Sequence, residues 1–155
     1  MSAVEQGTNE SGTPPVATTR PTGVEVVFTS GEAYTISVRE HRLTTDQPLG
    51  SGGRDEGPTP VELFVASLAG CVAYYAGRFL ERHHLAREGL LVRAEFDMAD
   101  DRPARVAAIR VRVNVPGGLS EVRRAALHAV VRHCTVHNSL RQPPEVRVDV
   151  VDVGD

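Results

Sequence analysis

The stretch Gly57-Pro58-Thr59-Pro60-Val61-Glu62-Leu63-Phe64-Val65-Ala66-Ser67-Leu68-Ala69-Gly70-Cys71 constrains this chain more than any other. Thr59 is a preferred N-cap and Pro60 suits the first helical position. Glu62, three residues after Thr59, completes a capping box. From Leu63 to Tyr75 no side chain is charged. A helix that is apolar on nearly every side must be buried by its own fold, by a partner chain, or by both. The uncharged run is shorter than the roughly 18 residues of a membrane span, and Arg78, Glu81 and Arg82 close it. No membrane association is expected.

The chain upstream predicts strands. Val24–Phe28 reads as extended, Ser30-Gly31 as a turn, and Tyr34–Val38 alternates as a second strand. A third, His41–Thr44, completes an antiparallel meander. Asp46 to Pro58 is a loop broken by Gly50, Gly52, Gly53 and Gly57, and loops of this length are often functional. The central helix is expected to run to about His84. Leu91–Met98 and Arg105–Val115 then alternate as a strand pair. Ser120 caps a second helix, which places Val122, Ala126, Ala129, Val130 and Cys134 near one face. Pro143-Pro144 stops it, and Val146–Val151 reads as a final strand. The predicted order is βββ–α–ββ–α–β, an α+β class with an antiparallel meander and central helices. Residues 1–22, rich in Ser, Thr, Gly and Pro, are expected to form a mobile tail before one domain, 23–155. One small meander covers only one side of the central helix, so a homodimer is expected to cover the other.

Composition excludes some functions. A net charge of -3 over 155 residues lacks the basic footprint of nucleic-acid binding. The N-terminus has no charged-then-apolar signal pattern, so a cytoplasmic protein is expected. Two cysteines in that compartment point to catalysis, metal binding or core packing rather than to a structural staple.

Cys71 and Cys134 admit two readings, a reactive thiol with its resolving partner or two packed core cysteines. On the helices predicted here their roles differ. Cys134 falls near a helix C-terminus, where the dipole opposes a thiolate, which suits a resolving thiol. Cys71 lies mid-helix and would need a neighbouring Arg, fixed by a carboxylate, to become the nucleophile. Glu62 is either a cap or that carboxylate. Nine residues at 100° each place it opposite Cys71 on a straight helix, so it could act only from an irregular helix or across a dimer interface. His133, Cys134 and His137 have helical spacing for a metal pair, but no further acid or Cys lies at a matching distance.

With these residues in hand, the chain resembles the OsmC/Ohr family of thiol-dependent hydroperoxide reductases, nearest to its general OsmC-like branch. The resemblance rests on Gly57–Phe64 leading to Ala69-Gly70-Cys71, on His133-Cys134-Thr135-Val136-His137-Asn138-Ser139-Leu140, and on Asp46-Gln47-Pro48 with Gly52-Gly53. It covers roughly Val24 to Val153. It implies an intertwined homodimer and reduction of organic hydroperoxides, with Cys71 as peroxidatic and Cys134 as resolving thiol. It also implies an external dithiol reductant, lipoyl-type in some members, and no metal or organic cofactor. Two positions depart from well-studied branches. Val61 follows Pro60 where a Glu is usual there, with Glu62 one place later. The turn Ser30-Gly31-Glu32 lacks the activating Arg of one branch. Arg54 is then the first candidate for that Arg, with Arg39 and Arg42 as alternatives. A non-enzymatic dimer with packed cysteines is the competing expectation.

Overall fold

The expected capping box forms. In this computed structural model, which describes residues 23–154, helix α1 spans Pro60–Arg82. The expected tail, 1–22, lies outside the described residues. Thr59 Oγ1 accepts from the Glu62 N–H at 3.2 Å, and the Glu62 carboxylate accepts from the Thr59 N–H at 2.7 Å. Pro60, at the first helical position, has no N–H to leave unsatisfied.

Three strands precede α1: β1 (Glu25–Ser30), β2 (Ala33–Val38) and β3 (His41–Thr45). They pair antiparallel in the order β1-β2-β3. Strands β4 (Leu91–Met98) and β5 (Val106–Asn114) form a separate antiparallel hairpin. Helices α2 (Glu121–Val131) and α3 (Thr135–Arg141) follow.

The core differs from expectation in what covers α1. It is the β4–β5 hairpin, with α2 and α3, that packs against the helix, and not the meander. Val65, Leu68, Val72, Ala76, Phe79 and Leu80 recur at helical spacing and are the buried stripe. Val92, Ile109, Val111 and Val113 on the inner face of the hairpin meet them, while Arg93, Glu95, Arg110 and Arg112 point outward. Off that stripe, α1 keeps Phe64 and Tyr74 exposed. The meander likewise exposes Val26, Val27 and Phe28. The uncharged run is shorter than a membrane span, but the 23-residue helix it builds is long and apolar enough to be one, with 33% of its most apolar window buried. The β4–β5, α2 and α3 packing makes it the core helix of the described chain.

Two further expectations are corrected. Val146–Val151 forms no strand. Its valines stand 76–92% exposed, and among the described residues no strand pairs with them. The second helix does not carry Cys134 on its face. It stops at Val131, and the face that packs is Leu127, Val130 and Val131, with Val122 exposed. The chain turns through Arg132 and His133 before α3 begins, so Cys134 becomes a cap.

Candidate active site

Cys71 lies midway along α1, half-buried, on the edge of the buried stripe. The break between α2 and α3 delivers Cys134 to the same place. Cys134 is fully buried and packs with Leu68 and Val72, and Cys71 and Tyr75 are among the half-buried residues packed against them. Both thiols are free. Two cysteines far apart in sequence thus share one small apolar cluster.

Cys134 is the N-cap of α3. Its Sγ accepts from the His137 N–H at 3.4 Å, as a Ser or Asp oxygen would in that position. The cap reverses the dipole argument made from the sequence, since a helix N-terminus favours an anion. Burial still wins and pushes the Cys134 thiol up. The His137 and Val136 N–H groups pull against that, and the adjacent Cys71 sulfur pushes further up, as hydrogen-bond partner and as a like charge. Cys134 is therefore held as a thiol at neutral pH.

Tyr75, one helical turn beyond Cys71, sets its hydroxyl 3.4 Å from Thr135 Oγ1, the residue after Cys134. This contact links α1 to the start of α3 beside the sulfurs. The sequence marks this contact only by the four-residue step from Cys71 to Tyr75, which places the two on one helix face. A groove of about 370 Å³ shares Leu68 and Val72 with the cluster, and neither cysteine lines it. Its lining includes the apolar Leu68, Val72, Ile109 and Val111 and the polar Arg124, His128, Arg132 and His137.

The other candidates lie elsewhere in the chain. Glu62 is engaged at the start of α1, where the Thr59 N–H first and the Thr59 hydroxyl second hold its carboxyl below the usual range. Its charged form therefore favours the folded helix start above the ordinary value of 4.5, and that contribution is lost as pH falls through the lowered value. Arg54 reaches Ser30 Oγ and pairs with Glu56 at 2.7 Å, both outside the thiol cluster. Arg39, at φ 55 in the β2–β3 turn, and Arg42, exposed on β3, belong to the meander. Among the described residues no three His, Cys, Asp or Glu side chains gather as a metal cluster, so His133, Cys134 and His137 do not converge.

Comparison with known proteins bears on the fold and the family. Among proteins of curated function none matches this sequence. Solved structures do. A protein from Psychrobacter arcticus, provisionally named an osmotic stress induced and detoxification response protein, superposes with TM-score 0.71 at 20% identity, over 80% of this chain and 91% of that one. An OsmC-like protein from Mycoplasma pneumoniae gives TM-score 0.67 at 17% identity, over 81% and 90%. An organic hydroperoxide resistance protein, OsmC, from Legionella pneumophila gives 0.60 at 16%, over 79% and 91%. At these identities the likeness is one of fold. The family model described as OsmC-like protein matches residues 52–149, which take in α1, the β4–β5 hairpin and both cysteines. By that match over more than half of its length, this chain belongs to the OsmC-like protein family.

Proposed function

We propose that this protein is a thiol-dependent peroxidase that reduces organic hydroperoxides in oxidative-stress defence. The observation that carries the reading is the meeting of Cys71 and Cys134 in one apolar cluster. The Cys71 thiolate attacks the terminal oxygen of ROOH. The O–O bond breaks, ROH leaves with a proton, and Cys71 becomes a sulfenic acid. The Cys134 thiol then attacks that sulfur, so water leaves and a disulfide forms. An external dithiol, such as a lipoyl-type carrier, restores both thiols by two exchanges in the cytoplasm. The half-buried Cys71 suits first attack, and burial that keeps Cys134 protonated keeps it from competing for peroxide until it gives its proton to the departing hydroxide in resolution. The apolar side chains packed with the two thiols, Leu68, Val72 and Tyr75 among them, support alkyl hydroperoxides over hydrogen peroxide.

The reading includes a homodimer. The unpartnered apolar faces of α1 and of the meander, and the exposed C-terminal valines, support it. Within one chain neither Glu62 nor Arg54 touches the sulfurs, so both would serve Cys71 from across the interface. Gly70 tests this. In the chain a Cβ there meets nothing within 4 Å. In a monomer Gly70→Ala would stabilise α1 by about 1 kcal/mol. Against a partner helix it should instead destabilise the protein in urea and weaken the dimer in sedimentation. Stabilisation of a monomeric protein would remove the dimer from the proposal.

The peroxidase is tested by consumption of cumene hydroperoxide with a dithiol, run beside hydrogen peroxide. Rapid loss of the organic peroxide alone is expected. Equal turnover of both would count against the specificity, and no turnover of either against the enzyme. A second reading, a non-enzymatic dimer with packed thiols, is favoured by Glu62 and Arg54 both being engaged within their own chain. Thiols unreactive in the native protein but reactive on unfolding would select it.

A further inference from the structure

Thr45 and Asp46 are the buried polar residues of the described chain, and they are adjacent. Asp46 is 1% exposed, a costly place for a carboxylate unless it is fully hydrogen-bonded. Its Oδ1 accepts from the Gln47 N–H at 2.7 Å. Its Oδ2 accepts from the Arg54 N–H at 3.0 Å and the Glu56 N–H at 3.2 Å. Burial works against the charge, but these N–H groups, with Arg54 nearby, hold the carboxyl below its usual range.

The segment between is closed down further. The Asp55 N–H donates to the Gln47 carbonyl at 3.1 Å, and Asp55 itself sits at φ 58, a left-handed turn conformation that Asp tolerates better than most residues. Thr45 Oγ1 donates to the Pro58 carbonyl at 2.8 Å, one residue before the N-cap of α1. The loop thus joins the end of β3 to the start of the helix that carries Cys71. Arg54 is its one cation, and its backbone N–H is among those held by Asp46.

We propose that Asp46 is the positioning residue of the candidate active site: it fixes the loop that presents the Arg54 guanidinium to Cys71. The proposal rests on the reading that Arg54 activates Cys71 across the dimer. Asn is the informative substitution. Whichever way its amide lies, the NH₂ faces at least one N–H that the carboxylate accepted, so the chelate opens while the volume stays.

The test uses the full-length protein with Cys134→Ser, leaving Cys71 as the sole thiol. The rate of iodoacetamide alkylation against pH gives the midpoint for Cys71 thiolate formation. Asp46→Asn should raise that midpoint by about one pH unit and slow alkylation about tenfold near neutrality. Arg54→Ala should do the same, and the double variant should add nothing. If Arg54→Ala moves the midpoint and Asp46→Asn does not, the role of Asp46 is overturned and that of Arg54 stands. If the two effects add in full, Asp46 acts by another route and the proposal falls. If Arg54→Ala changes nothing, the Arg54 reading fails and the proposal with it. Should Asp46→Asn not fold, amide hydrogen exchange on the unaltered protein decides. Protection of the Arg54 and Glu56 amides, in residues otherwise exposed, supports the chelate, and exchange at the free-peptide rate overturns it.

Discussion

Cys71→Ser should abolish hydroperoxide turnover, with a loss on the order of a thousandfold or more. A serine hydroxyl does not ionise near neutrality and is a far weaker nucleophile than a thiolate. The substitution is nearly isosteric at a half-buried position, so stability should hardly change. Cys134→Ser should behave differently. The first equivalent of peroxide should be consumed at the normal rate, because the attacking sulfur is intact. Resolution then fails, and further peroxide should carry Cys71 on to sulfinic acid, visible in the intact mass. Two tests decide the assignment: peroxide consumption and mass spectrometry on both variants. If Cys71→Ser retains turnover, Cys71 is not the nucleophile. If Cys134→Ser cycles normally with a dithiol and never over-oxidises, Cys134 is a packed cap residue and no more.

Gly53→Ala should destabilise the protein by about 2–4 kcal/mol. A Cβ built on Gly53 falls 1.9 Å from the Gln47 carbonyl oxygen and 2.4 Å from its carbon. These are backbone atoms beside Asp46 and cannot rotate away as a side-chain end would. To admit a methyl group the loop must open, and the N–H groups held by Asp46 must shift with it. Gly50, four residues after Asp46, is the control, since a Cβ there meets nothing within 4 Å and its φ is not positive. Gly50→Ala should stay within about 0.5 kcal/mol of the parent. Urea unfolding of the three proteins checks this. Equal stabilities for Gly53→Ala and the parent would mean that the close approach of residues 47 and 53 does not exist in solution.

The features legible from sequence are those whose causes are local. Thr59, Pro60 and Glu62 announce the start of α1 because a capping box needs only residues a turn apart. Alternation places Ile109, Val111 and Val113 on the inner face of β5 because a strand turns its side chains every second residue. The α+β class follows from the order of such elements, and the fold shared with the OsmC-like structures agrees with it.

Other features depend on packing between distant segments. Nothing around His133 announces that the helix breaks there. Helical spacing continues through the site, and Cys134 is an uncommon cap, so the second helix reads as unbroken. Asp46 reads as one loop acid among several, because its N–H partners lie up to ten residues away and are brought to it only by the loop's closure. The valines of 146–151 show the converse. Their alternation is a true strand pattern, but a strand needs an edge to pair with, and among the described residues none pairs with them. Periodicity and capping are properties of neighbours and can be read along the chain. The meeting of Cys71 with Cys134 was a matter for the fold, because sulfur contact depends on where a turn, a helix end and a core stripe settle in space.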